Sequence, residues 1–329
     1  MNIIVSVGDC NGIGLEVFAN SFEHNRFEGV NFILVCNIEL MEQYFKLIGI
    51  GYQFDKDNLL LFGKSIKLVN CITYPEIEFG IVSKTMGLLA AESLDKALNI
   101  LFDAEKKNEL QADAILTLPI QKESMYLAGW KYPGHTEMFA SKCGVKTEMM
   151  ILGNKSLKVA LATVHIPLKN VALSLKPYKL EEKILSLYDS LVNDFGITNP
   201  KIAVLGLNPH AGENGNIGIE DVDIIEPLII KLKSKLDVSG PKAADGFFGF
   251  GEYKNYDGVL AMYHDQGLIP LKLIAQGGGV NYTANLPIIR VSPDHGTAYD
   301  LAGKNKANPK STIESIEMAE EIYKNRKKI

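Results

Sequence analysis

Val159-Ala160-Leu161-Ala162-Thr163-Val164-His165 is a short apolar run that ends on a histidine, and the chain uses the same device twice more. Ile202-Ala203-Val204-Leu205-Gly206-Leu207 leads through Asn208-Pro209 to His210, and Val259-Leu260-Ala261-Met262-Tyr263 ends at His264. Short continuous apolar runs bounded by polar turns fit strands buried on both faces of a parallel sheet. The carboxyl ends of parallel strands open on one crevice, where ligands bind. Three strands far apart in sequence therefore bring three imidazoles toward one point. Three His nitrogens with an open position form a divalent-metal site of catalytic type, at which the metal acts as a Lewis acid on a substrate oxygen. Taken singly, each histidine reads as a surface or hydrogen-bonded residue; it is the three equivalent positions that favour ligands.

Outward from these runs, the chain keeps alternating strand and helix patterns. Strands are expected at 3–7, 31–36, 113–118, 157–164, 201–207 and 257–263, with helices at 15–22, 83–107, 180–195 and 312–326. This alternation predicts an α/β fold with a largely parallel sheet. Glycine and proline thicken at 129–134 and 266–279, which are candidate interdomain crossings. The stretch 266–303, dense in Gly, Asn, Asp, Thr and Pro, reads as a functional loop array.

The 329 residues are enough for two domains. A net charge of −5 lacks the basic footprint of a nucleic-acid or membrane-surface protein. No apolar run approaches a membrane span, and Met1 through Asp9 reads as a first strand in place of a signal peptide. Cys10, Cys36, Cys71 and Cys143 form no Cys-x-x-Cys pair and read as reduced thiols of a cytoplasmic protein. The basic run Lys324 to Lys328 reads as a frayed, solvated terminus.

Four further stretches carry candidate chemistry. Gly8-Asp9-Cys10-Asn11-Gly12-Ile13-Gly14 joins a strand to a helix; it serves either as a ligand-approach loop or as a plain tight turn. It matches neither a Walker loop nor Gly-x-Gly-x-x-Gly. Pro133-Gly134-His135-Thr136-Glu137 opens a helix, where amides, an imidazole and a hydroxyl suit a phosphate or carboxylate, and Thr136 suits a cap. Lys272, Asn281 and Arg290 either hold an anionic substrate or are solvated side chains. His295-Gly296-Thr297-Ala298-Tyr299-Asp300-Leu301-Ala302-Gly303, followed by Ala307-Asn308-Pro309, is a Gly-rich loop before a helix.

That last stretch resembles the adenine-binding loop of the isocitrate and isopropylmalate dehydrogenase superfamily. The chain as a whole resembles one branch of it, the 4-hydroxythreonine-4-phosphate dehydrogenases of vitamin B6 synthesis. The resemblance runs in order through Gly8–Gly14, Pro119–Glu123, Pro133–Glu137, Thr163–Leu168, Leu207–Glu213, Ala261–Gly267 and Leu286–Gly303. It implies two α/β/α domains with the active site in the interdomain cleft: 1–130 plus 268–329 on the cofactor side, and 131–267 carrying the metal ligands and dimer contacts.

The resemblance also implies residue roles. His165, His210 and His264 match divalent-metal ligands (Zn, Mg or Co), and His135, Thr136, Lys272, Asn281 and Arg290 match substrate-binding residues. Asp245 and Asp265 match active-site acids, with Asp245, Asp265 and Lys272 left as alternative general bases. His295, Asp300 and Asn308 fall in the cofactor loop, where a carboxylate at Asp300 favours NAD over NADP.

The implied reaction is NAD-dependent oxidation of 4-phosphooxy-L-threonine at C3, then decarboxylation to 3-amino-2-oxopropyl phosphate, in a homodimer that shares its active sites. The alternative substrate is a phosphorylated sugar acid, threonate or erythronate 4-phosphate. Rival classes are a metal-dependent hydrolase and a non-catalytic sensor.

Three places depart from the family pattern. Cys10-Asn11-Gly12-Ile13-Gly14-Leu15 replaces Pro-Ala-Gly-Ile-Gly-Pro, Thr283-Ala284-Asn285-Leu286-Pro287 replaces Thr-Leu-Gly-Leu-Pro, and Ala275 through Gly279 is richer in glycine. They flank substrate positions and so bear on the substrate more than on the fold.

Overall fold

The computed structural model describes residues 1–23, 26–103 and 110–328. In chain order the strands are β1 Asn2–Ser6, β2 Asn31–Cys36, β3 Gln53–Asp55, β4 Asn58–Leu61, β5 Lys64–Asn70, β6 Ala114–Thr117, β7 Met149–Gly153, β8 Lys158–Leu161, β9 Ile202–Leu205, β10 Val238–Lys242, β11 Gly258–Ala261, β12 Val280–Ala284 and β13 Ile289–Pro293. The helices are α1 Gly14–Asn20, α2 Ile38–Ile48, α3 Lys84–Leu101, α4 Lys122–Leu127, α5 His135–Cys143, α6 Val171–Ser174, α7 Pro177–Asn193, α8 Glu226–Leu232, α9 Ala244–Gly249, α10 His264–Ala275 and α11 Lys310–Arg326. The α/β class expected from the alternation is the class observed. The tail of the helix expected over 83–107 falls partly on 104–107, outside the described residues.

The chain divides into two compact units, Met1–Cys143 with Leu286–Tyr323, and Gly144–Asn285 with Lys324–Ile329. In the first unit the strand order is β13-β6-β1-β2-β5-β4-β3. The run from β13 to β5 is parallel and the β5-β4-β3 meander is antiparallel. β1 and β6 are apolar runs with almost no exposed side chain, as strands covered on both faces must be. α3 starts at Ser83, whose hydroxyl accepts from the Met86 amide, and lays Met86, Leu89, Leu94 and Ala97 onto β1, β2 and β6.

In the second unit the order is β10-β9-β11-β8-β7-β12. β10, β9, β11 and β8 are parallel, while β7 runs antiparallel to both β8 and β12. Leu152, Val159, Leu161, Leu205, Val259 and Leu271 form its core.

Two sequence expectations are corrected. Residues 266–303 are not a loop array: they contain most of α10 and all of β12 and β13. Gly267 and Pro270 hide the helical period of α10. Gly267 is there for packing, since a Cβ would sit 2.6 Å from Val159 Cγ1 and 3.0 Å from Ala261 Cβ. The terminal basic run is also not frayed. Arg326 ends α11, and its Nε donates to Asp194 Oδ1 at 2.7 Å and its Nη2 to the Tyr282 hydroxyl at 2.9 Å.

The chain passes between units at 143/144, 285/286 and 323/324; the family resemblance implied 1–130 with 268–329 and 131–267, and the Gly/Pro pattern suggested crossings near 129–134 and 266–279. β12 pairs along its length with β7, which keeps 280–284 in the second unit. Asn285 sits at the crossing with φ 64°, a left-handed conformation that glycine and asparagine tolerate best. Its amide donates to the Thr147 carbonyl at 2.6 Å.

Candidate functional site

In the second unit the three histidines follow three neighbouring parallel strands, β9, β11 and β8. The strand ends are laced together. Thr163 donates through its amide (3.2 Å) and its hydroxyl (2.7 Å) to the Met262 carbonyl, tying the end of β8 to the end of β11. Gln266 accepts from the Met262 amide at 2.7 Å and donates to the Gly206 carbonyl at 2.6 Å, tying β11 to β9.

His165 and His264 face each other with ring centroids 5.8 Å apart. Asp265 Oδ1 lies 2.7 Å from His264 Nδ1. A carboxylate only accepts, so Nδ1 carries a proton and Nε2 is the nitrogen turned away from Asp265, the arrangement that orients a metal-ligating imidazole.

His210 is presented differently. His210, Ala211, Gly212, Glu213 and Asn214 all have φ between 44° and 79°, a continuous left-handed turn. Left-handed helix costs L-residues about 1–2 kcal/mol each, so the surroundings must enforce it. Asp221 does so from a fully buried position. Its carboxylate accepts from the Leu207 amide (2.7 Å), the Asn208 amide (3.0 Å) and the Asn208 side chain (2.9 Å). Gly212 is required as well, because a Cβ would lie 2.9 Å from the Gly218 carbonyl oxygen. Strain held this firmly in a polar loop is characteristic of sites that must present a group in one place.

Among the described residues no group of three or more His, Cys, Asp or Glu side chains converges to hold a metal ion. His165 and His264 approach each other, and His210 does not complete a triad with them. One chain therefore does not by itself fit the expected metal, and no chemical step is derived through one. Asp245, in the first turn of α9, and Lys272, on α10, are exposed and lie in this same unit. Asn281, on β12, has its Oδ1 buried with no hydrogen-bond partner, which is the state of a group that awaits a ligand.

The first unit holds the other substrate candidates. Arg290, on β13, is only 2 % exposed. Its Nη2 donates to Thr117 Oγ1 at 2.8 Å and lies 3.4 Å from His135 Nδ1, and its guanidinium stands 5.7 Å above the Phe139 ring. A guanidinium has no acceptor, so His135 Nδ1 is the lone-pair nitrogen and Nε2 bears the proton. Burial lowers the Arg290 pKa to about 10, with Glu137 opposing. Burial, then the adjacent guanidinium, holds His135 well below the usual imidazole range. Thr136 is buried beside it in the first turn of α5. A neutral N–H donor, a hydroxyl, a helix start and a buried cation together form an anion receptor.

This arrangement has a pH consequence. The unfolded His135 takes a proton below about pH 6.5, while the folded one stays neutral to lower pH. Stability from this group is therefore full above that value and is lost as pH falls through it, by about 1.4 kcal/mol per pH unit until the folded pKa is reached. His135→Gln is expected to flatten the fall in melting temperature between pH 6.5 and 5 relative to the parent; an identical slope would contradict the buried neutral imidazole.

The cofactor-loop candidates lie in the same unit. His295 Nδ1 is 2.9 Å from the Gly296 carbonyl oxygen, Asp300 is exposed, and Asn308 accepts from the Lys310 amide at 3.0 Å, capping α11. Beneath the loop lies the Gly8–Gly14 turn, and here the plain-turn alternative is the right one. Its residues are buried, and its amides are engaged by protein: Asp9 to the Pro119 carbonyl, Gly12 to the Asp9 carbonyl, Ile13 to the Thr297 carbonyl. A Cβ on Gly8 would meet the Pro119 oxygen at 1.9 Å, and one on Gly12 the Thr297 oxygen at 2.7 Å. The glycines admit neighbouring backbone, not a ligand.

Comparison with known proteins decides the family. The family described as pyridoxal phosphate biosynthetic protein PdxA matches residues 29–319. The chain belongs to the PdxA family. It is 39% identical over 322 residues to 4-hydroxythreonine-4-phosphate dehydrogenase of Sulfurihydrogenibium sp. (strain YO3AOP1), covering 97% of each chain. It is 36% identical over 330 residues to D-threonate 4-phosphate dehydrogenase of Pectobacterium atrosepticum, covering 97% of this chain and 98% of the relative. The crystal structure of 4-hydroxythreonine-4-phosphate dehydrogenase from Klebsiella pneumoniae superposes with a TM-score of 0.79 at 34% identity over 98% of both chains. This PdxA-family chain is thus an oxidoreductase whose relatives are dehydrogenases.

Sequence reasoning missed several residues that shape these sites. Thr117, Thr163 and Gln266 lay inside or beside the quoted runs but gave no sign of their partners. Asp221 gave none at all. Glu16 was also missed: it is fully buried, and its Oε1 accepts from the Ala307 amide at 2.6 Å. Burial raises its pKa, with amides of the 305–307 segment opposing. Glu16→Ala is expected to release that segment and lower stability by about 1–3 kcal/mol, the cost of an orphaned buried amide, whereas Glu16→Gln retains an acceptor and most of the stability; urea unfolding measures both.

Proposed function

We propose that this chain catalyses NAD-dependent oxidation of 4-phosphooxy-L-threonine at C3 followed by decarboxylation, giving 3-amino-2-oxopropyl phosphate for pyridoxal phosphate synthesis in the cytoplasm. The observation that carries the reading is the anion receptor of the first unit, Arg290 at 2 % exposure beside neutral His135 and Thr136, in a family whose relatives carry the name of a phosphorylated substrate. In this reading Arg290, His135 and Thr136 hold the phosphate, and Lys272 and Asn281, with its unpartnered buried oxygen, complete the substrate contacts.

The loop 295–308 holds the dinucleotide. Its backbone is fixed independently of ligand: Tyr299 donates to Asp9 Oδ2 at 3.0 Å, Glu16 accepts from Ala307, and exposed Asp300 offers a carboxylate for ribose hydroxyls. That carboxylate repels a 2′-phosphate, which favours NAD. Bound NAD supplies the hydride acceptor. The substrate C3 hydroxyl gives its proton to a base among Asp245, Asp265 and Lys272. The ketone so formed lies β to the carboxylate, and the carbon–carbon bond to that carboxylate then breaks to release CO₂ and an enol that takes up a proton. Asp265 already binds His264 Nδ1, which fits a positioning role better than that of base.

A divalent metal (Zn, Mg or Co) and a homodimer belong to the same reading. The family resemblance implies a site whose ligands come from two copies of the chain.

Phosphorylated threonate is the second reading. The D-threonate 4-phosphate relative matches over the full length at 36% identity, close to the 39% of the amino-acid enzyme. Both substrates present the same phosphate and C3 hydroxyl and differ at C2. Substrate labelled with ¹³C at C1 tests the two-step chemistry: one labelled CO₂ is expected per NADH, and NADH without CO₂ would restrict the enzyme to simple oxidation.

A further inference from the structure

In the second unit, the first turns of α7 and the residues around Lys146 and Ala162 enclose a cavity of about 230 Å³. Four lysines line it, Lys146, Lys176, Lys179 and Lys183, against a single acid, Glu182. Three of them fall at 176, 179 and 183, the spacing that sets side chains on one face of a helix, and Ser186 extends the same face into the cavity wall. Like charges at this spacing repel.

Their position at the amino end of a 17-residue helix makes matters worse, because a helix start favours anions and disfavours cations. The first turn carries no acidic residue, Lys176 provides no side-chain cap, and Pro177 has no amide hydrogen. Among the described residues none of the four ammonium groups has a carboxylate within 4.0 Å. Yet the chain as a whole is acidic, with a net charge of −5. Four cations against one carboxylate around a single concavity are thus not a consequence of composition.

Lys183 is the most telling of the four. It is half-buried, and burial lowers its pKa, with Glu148 and Glu182 opposing through space. Its Nζ donates to the Glu148 carbonyl oxygen at 3.1 Å. An ammonium has three donors, so two remain for the cavity it lines. A partly desolvated charge with no carboxylate in direct contact is unfavourable, and an anion in the cavity, reached by four ammonium groups and by the first-turn amides of α7, relieves it.

We propose that this cavity binds a small phosphate-bearing anion, either orthophosphate or the phosphate of a monoester. It lies in a different unit from Arg290, His135 and Thr136 and uses none of their side chains.

Calorimetric titration at constant ionic strength, with orthophosphate in one series and glycerol 2-phosphate in another, tests this on the full chain. The parent is expected to bind one equivalent more than a Lys179→Met/Lys183→Met variant, or to bind it at least tenfold more tightly, while NAD-dependent turnover of the variant stays at the parental level. The single variants Lys176→Gln and Lys179→Gln, both at exposed positions, report the same weakening in smaller steps if the double variant fails to fold. Tighter binding of orthophosphate assigns the free ion, and tighter binding of the ester assigns a phosphorylated metabolite. Equal stoichiometry and affinity in parent and lysine variants would overturn the proposal.

Discussion

Arg290→Ala is expected to lower kcat/KM for the phosphorylated substrate by roughly 30-fold to several thousand-fold, because truncating one partner of a buried charge pair costs about 2–5 kcal/mol. The loss should fall mainly on KM. The guanidinium is buried against Thr117, His135 and Phe139, so removing it also leaves a cavity and a hydroxyl without its donor. Arg290→Lys restores the charge without the planar fork and is expected to recover only a small part of the loss. Steady-state kinetics on the three proteins decide the matter, and unchanged constants in Arg290→Ala would remove this residue from the substrate site.

Asp221→Ala should produce the second large effect, this time on stability and presentation of His210. Asp221 is buried and receives three hydrogen bonds from Leu207 and Asn208. Each orphaned buried donor costs about 1–3 kcal/mol. Relief of the strained left-handed turn at 210–214 offsets part of that loss, and a net loss of about 3–5 kcal/mol is expected. Asp221→Asn turns one acceptor into a donor facing donors and should rescue little. Urea unfolding of the parent and both variants measures this; a shift below about 1 kcal/mol would mean that the turn is held by something else.

The parts of this molecule legible in its sequence share one physical cause. Runs such as Val159–Leu161, Ile202–Leu205 and Val259–Ala261 are buried on both faces, so composition alone marks them as parallel strands, and the same marking located the three histidines at adjacent strand ends. Elements chosen for close packing were hidden. α10 carries a glycine against Val159 and a proline, both poor helix formers, so its period was lost in a segment that looked like loop. The terminal basic run was misjudged because Asp194, which holds Arg326, lies 132 residues away.

The site divides along the same line. His135, Thr136 and Arg290 were singled out by residue type and flanking turn, but the neutrality of His135 depends on burial and on a guanidinium 155 residues distant. The left-handed turn around His210 has only Gly212 and Gly215 to announce it, and the buried carboxylate that enforces it gave no local signal. The departure at Asn285 from the family glycine turned out to be a local matter of backbone geometry, since asparagine accepts φ 64°, and it carries no evidence of a changed substrate.

The most direct test of the functional account is NADH formation at 340 nm by the purified chain with NAD⁺ and a divalent metal, 4-phosphooxy-L-threonine in one cuvette and D-threonate 4-phosphate in the other. The account predicts turnover with the amino acid and little with the sugar acid. Turnover with the sugar acid alone would contradict the assignment to pyridoxal phosphate synthesis, and silence with both would contradict the proposed activity itself.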